Sequence, residues 1–344
     1  MQVKDAIQKA GEWVQAIAQK EAGFIGAYLA GSIIQKHMDE AWPIHSDVDI
    51  MIVTSNVPEL KIGKFIYDGV LLEATHLDSA LFHSKEVILS DYHLSFSFAH
   101  TFILADPEGI LTPLQRNAAE DYDKIYWVHK RCHHIKDKID SGLSSIPKEK
   151  PFYEQVMSWL FPTSVLTHLF LTAGLENPTV RRRYEAAEQI LKSYHMNDVY
   201  QALLKEINII SLKKNDVQIS LDVLNDTFDL AVTYAQTPIF FLSDISLSAK
   251  PLSIDGCQAL IDKNKHRESF FWIIATFCRC HIILATDAPE IHAERLPYFM
   301  KTLSMIDMYT SEDLFEKAKI TKSNLPYFWE KTEKLISINP AIKR

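Results

Sequence analysis

Ser46-Asp47-Val48-Asp49-Ile50-Met51-Ile52-Val53 alternates acidic and aliphatic side chains, then closes in an unbroken apolar run. Val48 to Val53 reads as a β-strand, because β-branched and aliphatic residues suit a pleated, half-buried surface. With a side-chain period of two, Asp47 and Asp49 project from the same edge of that strand. Two carboxylates so close repel each other unless a cation sits between them, and an oxygen-seeking divalent ion is the usual answer.

Upstream, Phe24 to Ala30 is a short apolar run that reads as a buried strand ending at Gly31-Ser32, and fourteen residues separate Ser32 from Asp47. Gly31 allows backbone to approach a ligand closely, and Ser32 can open a helix whose free N–H groups attract phosphate. Downstream, Phe65-Ile66-Tyr67 and Val70-Leu71-Leu72 flank Asp68-Gly69, the strongest short hairpin signal in the chain. The second arm carries Glu73 inside Val70-Leu71-Leu72-Glu73-Ala74. Acids are depleted in strands, so this one asks for a reason, and pairing could bring it beside the two aspartates.

Around this core, Asp5 to Glu21 places Ala6, Ala10, Trp13, Val14, Ile17 and Ala18 on one helical face. Helices are expected over Ser79 to His100 and Leu111 to Asp140, separated by a strand from Thr101 to Ala105 that the turn Asp106-Pro107-Glu108-Gly109 closes. Ser141 to Pro151 has linker composition. Beyond it the pattern is helical, with an N-terminal signal at Asn177-Pro178 and a capping box at Thr310 and Asp313. The expectation is an α+β chain: a domain with a short sheet and flanking helices over residues 1–142, then an all-helical domain over 151–344.

Composition limits the classes of function. The 344 residues carry 36 basic and 44 acidic side chains, a net charge of −8, which argues against a dedicated nucleic-acid binder. The longest nearly uncharged run, Phe270 to Ala285, is 16 residues long and holds Arg279 and His281, so it is read as too short and too polar to span a membrane. No signal sequence opens the chain, and its four cysteines form no disulfide pattern, which together point to the cytoplasm. Cys278-Arg279-Cys280-His281 lacks zinc-site spacing and reads as core.

Gly31-Ser32 after one strand, Ser46-Asp47-Val48-Asp49-Ile50 on the next, and a third acid at Glu73 together resemble the nucleotidyltransferase superfamily typified by DNA polymerase beta. The likeness is nearest to its antibiotic-modifying branch, the aminoglycoside (streptomycin/spectinomycin) and lincosamide nucleotidyltransferases. Leu72-Glu73-Ala74-Thr75 is similar to the segment that carries the catalytic base in the aminoglycoside enzymes. The loop from Ser32 to Asp47, with Trp42-Pro43 and His45, is longer than in the compact members of that branch.

The resemblance covers residues 1–140 and implies a short mixed sheet, Mg²⁺ held by Asp47 and Asp49, and ATP or another nucleoside triphosphate as co-substrate. It also implies triphosphate positioning by Gly31 and Ser32, and Glu73 as base or third metal ligand. A helical domain in such enzymes closes over the acceptor, a small hydroxylated molecule. The alternatives are nucleotidylation of a protein or an RNA end, and a non-catalytic nucleotide-binding module that kept the fold.

Other residues have plainer readings. Arg181-Arg182-Arg183 could reach a triphosphate, since guanidinium forks suit phosphate, but three consecutive residues point in different directions on a helix. His133-His134 reads as helix surface, His37 and His45 as loop, and Phe270-Phe271-Trp272 as core packing.

Overall fold

Strands β1 (Phe24–Ala30) and β2 (Val48–Thr54) pair antiparallel at the centre of one five-stranded sheet, in a computed structural model that describes residues 1–43 and 45–344. β3 (Gly63–Tyr67) and β4 (Val70–Asp78) form the hairpin, and β5 (Ile103–Ala105) lines the far side of β1. The order is β3-β4-β2-β1-β5, and β4 runs parallel to β2, so the sheet is mixed. Asp68 and Gly69 have φ of 48° and 80°, the two left-handed residues that a type I′ turn requires.

Helix α1 (Val3–Ala16) packs Val3, Ala6, Ala10, Trp13 and Val14 onto one face of the sheet, against Leu29, Val48, Ile50, Ile52, Leu72 and Ala74. That cluster assigns the faces. With the even-numbered residues of β2 and β4 turned to α1, the odd-numbered Asp49 and Glu73 must turn to the other side. Slipping β2 by one residue would exchange the two sets, so the core itself holds the acids in register. Truncating one of these fully buried aliphatic side chains to alanine should cost about 2–5 kcal/mol.

Several elements differ from the sequence expectation, each for a local reason. Helix α1 stops at Ala16 rather than Glu21; Ile17 is exposed, and a 3₁₀ turn brings Ala18 back to the core. The stretch from Ser79 to His100 is broken into a 3₁₀ turn, α2 (Lys85–Ser90) and α3 (Leu94–His100), because the Asp91 carboxylate accepts from the N–H groups of His93 and Leu94 and starts a new helix. Leu111 to Asp140 is likewise two helices, α4 (Leu111–Asp121) and α5 (Ile125–Ser144). The buried Arg131 guanidinium donates to the Tyr122 and Leu89 carbonyls, satisfying backbone that the break exposes.

Two compact units emerge. The sheet unit comprises Met1–Arg131, Ile239–Asp244 and Pro340–Arg344, and the helical unit Cys132–Pro238 and Ile245–Asn339. The division falls inside α5, which runs to Ser144, and the chain returns from the helical unit to the sheet unit twice, at Ile239–Asp244 and at Pro340–Arg344.

Among the described residues the helical unit holds no strand. Its helices are α6 (Phe152–Ser164), α7 (Leu166–Ala173), α8 (Arg183–Ser193), α9 (Asn197–Glu206), α10 (Lys214–Tyr234), α11 (Gly256–Asp262), α12 (His266–Asp287), α13 (Pro289–Ser304) and α14 (Ser311–Ile338). The Thr310–Asp313 capping box is present at α14. Asn177-Pro178 starts no helix: α8 begins at Arg183, and the His168 ring bonds to the Thr179 carbonyl in the irregular segment before it.

Phe152–Ala173 and His266–Asp287, 22 residues each, are long and apolar enough to cross a membrane, more than the 16-residue run suggests. In the 18-residue apolar window of each, 72% and 78% is buried within the protein, as in core helices. Phe270, Phe271, Cys278, Cys280 and His281 of α12 are buried, in keeping with the core reading.

Candidate metal centre

A row of paired residues crosses four strands at one end of the sheet. Lys64 on β3 stands opposite Glu73 on β4, Glu73 opposite Asp49 on β2, and Asp49 opposite Ala30 on β1. Asp47 lies two residues before Asp49, just ahead of β2, and Gly31 follows Ala30. The ligand oxygens of Asp47, Asp49 and Glu73 all lie within 4.8 Å of one another, so these three acids could hold a metal ion. An all-oxygen set of carboxylates suits a hard cation such as Mg²⁺, Mn²⁺ or Ca²⁺. Glu73 sits on an interior strand of the sheet with its side chain 15% exposed, so it is not an edge residue facing water.

Gly31 has φ of 69°, and a Cβ built there would lie 1.8 Å from Asp49 Oδ2. Glycine is required twice over, by its left-handed backbone and by the carboxylate packed against it. Ser32 opens only a three-residue 3₁₀ turn, Ile33–Gln35, and its hydroxyl makes no capping hydrogen bond. The helix that was expected to start at Ser32 is therefore a single turn, and any phosphate-binding role falls on backbone N–H groups rather than on a helix dipole.

Two lysines absent from the sequence reading fill the space between the acids. Lys64 Nζ is 3.0 Å from Asp47 Oδ2, contacts Glu73 Oε2, and is 3.2 Å from Asp244 Oδ1. Lys61 Nζ is 2.8 Å from Glu73 Oε1 and 3.9 Å from Asp244 Oδ2, and it lies 5.2 Å from the centre of the exposed Phe240 ring. Asp244 arrives from residues 239–244, which press so closely on β3 that a Cβ at Gly63 would meet Ser243 Oγ at 2.0 Å.

Lys64 was within reach of sequence reasoning. A two-residue hairpin at Asp68-Gly69 pairs Tyr67 with Val70 and, counting outward, Lys64 with Glu73. No local signal marks Asp244, some 170 residues further along.

The charges sort the acids into two states. Burial pushes the Asp49 carboxyl well above the ordinary range, repulsion from Asp47 and Glu73 adds to it, and Lys64 and Lys61 offset this only in part. Neither lysine pairs directly with Asp49 among the described residues. Burial also acts to raise the Glu73 carboxyl, but the Lys64 and Lys61 ammonium groups outweigh it and bring Glu73 down to about 2. Burial opposes the Lys64 charge, yet Asp47, Glu73, Asp244 and Asp49 together hold Lys64 above the usual lysine range.

The remaining candidates lie elsewhere. Arg183 is buried, donating to the Val180 carbonyl and Ser164 Oγ and stacking 4.4 Å from the Phe271 ring centre. Arg182 pairs with Glu185 at 2.5 Å, and Arg181 lies against Gly256, where a Cβ would come 1.8 Å from its Nη1. All three belong to the helical unit. His133 is exposed and packs its ring 4.5 Å from that of Trp329. No protein-family model matches this chain, and no match to a curated protein reaches significance.

Proposed function

We propose that the protein is a Mg²⁺-dependent nucleotidyltransferase that moves a nucleoside monophosphate, AMP from ATP, to a hydroxyl of a small molecule of the aminoglycoside or lincosamide kind. The observation that carries this reading is the gathering of Asp47, Asp49 and Glu73 within 4.8 Å beside the left-handed Gly31. Asp47 and Asp49 would hold the metal, which when bound neutralises charge on the triphosphate and on the departing pyrophosphate. Gly31 and Ser32 offer backbone N–H groups to the phosphates.

In the transfer, the acceptor oxygen forms a bond to the α-phosphorus as the bond to the bridging oxygen breaks, and pyrophosphate departs with that electron pair. A Glu73 carboxylate oxygen takes the proton from the acceptor hydroxyl. In the ion-paired arrangement both oxygens of Glu73 are engaged by lysines, so Glu73 is a weak base until those contacts open.

The same pairing favours a second reading, a non-catalytic module whose acids and lysines form a buried ion-pair network. Pyrophosphate release from Mg²⁺-ATP across a panel of hydroxylated compounds separates the two. For the transferase, Glu73→Gln should retain nucleotide affinity and lower kcat by about 10²–10⁴-fold. Loss of Mg²⁺-ATP affinity in that variant would instead make Glu73 a metal ligand. No release with any acceptor, together with no Mg²⁺-dependent ATP binding, would leave the network reading.

A further inference from the structure

The position of Lys64 conflicts with a metal held by the same acids. Its Nζ contacts Asp47 and Glu73, two of the three candidate ligands, and its side chain is only 5% exposed. A divalent ion bound by Asp47, Asp49 and Glu73 would stand beside a buried ammonium, and like charges that close in a low-dielectric setting repel strongly. Either the ion or the lysine must give way.

A seat for the lysine is already built. Asp244 Oδ1 lies 3.2 Å from Lys64 Nζ, and Asp244 is not a member of the three-acid group. Charge bookkeeping points the same way. With all groups ionised, Asp47, Asp49, Glu73 and Asp244 carry −4 and Lys61 and Lys64 carry +2, a residue of −2 that one divalent cation cancels.

Resting on the metal-centre reading above, we infer that Lys64 is a resident counter-ion that exchanges with the metal: it holds Asp47 and Glu73 together in the metal-free protein and withdraws onto Asp244 when a divalent cation binds. Lys64 and Asp244 are positioning residues in this scheme, not ligands. Lys61 also reaches Glu73 and Asp244, so Asp244 would carry both ammonium groups, Lys64 on Oδ1 and Lys61 on Oδ2. The chain lends residues 239–244 to the sheet unit in order to place Asp244 there.

The test is a titration of the full-length protein with Mn²⁺ alone, followed by electron paramagnetic resonance, with no nucleotide present. Lys64→Met should tighten Mn²⁺ binding, and Asp244→Asn should weaken it by about 10- to 100-fold, the range typical of residues that support metal ligands. In the Lys64→Met background, Asp244→Asn should have little further effect, because the ammonium it serves is gone. The metal-free Lys64→Met protein should also melt at a lower temperature, and Mn²⁺ should restore it.

Equal weakening by Asp244→Asn in both backgrounds would make Asp244 a direct ligand and overturn the exchange. So would a Lys64→Met protein that binds Mn²⁺ no more tightly than the parent. If Lys64→Met fails to fold, Lys64→Arg serves: its guanidinium grips carboxylates bidentately, so Mn²⁺ affinity should fall, and unchanged affinity overturns the proposal. Absence of Mn²⁺ binding in both the parent and Lys64→Met would overturn the metal centre itself, an outcome distinct from binding that ignores Lys64.

Discussion

The two units bury charge in different ways. In the helical unit, several buried polar side chains meet partners in small local sets: the Tyr200 hydroxyl donates to Glu268, Glu206 accepts from Thr321 and Asn324, and Arg183 stacks on Phe271 while donating to Ser164. Glu268 Oε2 and Trp272 Nε1 are buried there without a hydrogen-bond partner. In the sheet unit, three carboxylates, Asp47, Glu73 and Asp244, share two ammonium groups at one end of the sheet, and a fourth, Asp49, pairs with neither. A buried charge in excess costs stability, and a fold retains such a cost where a ligand later offsets it. The imbalance, rather than the acidity, is what separates a site from a structural network.

Breaking that imbalance at its centre should give the largest effect. Asp47→Ala and Asp49→Ala should each weaken Mn²⁺ or Mg²⁺-ATP binding by ~100-fold or more, since removing a ligand costs at least as much as removing the groups that support it. Turnover should fall to background. Asp49→Asn should also make the metal-free protein more resistant to urea at neutral pH, because the repulsion that raises the Asp49 carboxyl disappears. Isothermal titration calorimetry and urea unfolding read the two effects. A variant that loses both metal affinity and stability would show that Asp49 is part of the scaffold.

What local periodicity decides was legible in the sequence. β1, β2 and the Asp68-Gly69 hairpin stand where alternation and a glycine turn put them, and Glu73 falls beside Asp49 because β4 pairs with β2. The helix break at Asp91 was not legible, because it is created by a single carboxylate that accepts from the N–H groups of His93 and Leu94. The three arginines were expected to diverge on a helix; they do have separate surroundings, but only Arg183 stands on a helix. One is buried on aromatic rings, one pairs with Glu185 and one lies against Gly256. Asp244 was out of reach, since its place in the site depends on a long-range return of the chain.

Two glycines sharpen the comparison between strain and site. Gly31 and Gly69 both have left-handed backbones, at 69° and 80°, but a Cβ at Gly69 meets nothing within 4 Å, while one at Gly31 collides with the Asp49 carboxylate. Gly69→Ala should therefore cost only its backbone term, about 1–2 kcal/mol. Gly31→Ala should cost about 1–3 kcal/mol and, by pushing Asp49 aside, weaken metal binding as well. Urea unfolding beside a Mn²⁺ titration separates them. Equal metal affinity in the two variants would mean that Asp49 is not held by its contact with Gly31.

The smallest effect is a difference in the sign of two pH slopes. In the helical unit, His281 is buried among Phe277 and Phe299, near Tyr153, with its Nδ1 3.1 Å from that of His292. Burial, then repulsion from His292 and Arg295, bring it from 6.5 down to about 3. The unfolded chain therefore binds the proton first, and stability is lost as pH falls below 6.5. Asp49 acts in the opposite sense: its raised carboxyl holds a proton that the unfolded chain has released, so above 3.8 it loses stability as pH rises. Glu73, depressed to about 2, contributes nothing to the slope at these pH values, since its window lies below 4.5. Wherever their windows overlap, the two slopes oppose each other in the parent protein. With Asp49→Asn the histidine contribution stands without that opposition, and urea stability should fall by about 2 kcal/mol between pH 6.5 and 5, while His281→Phe should leave only the rise toward acid that Asp49 produces. Identical pH profiles for the parent and both variants would show that neither buried group titrates differently in the folded protein, and the contrast between the two units would lose its electrostatic basis.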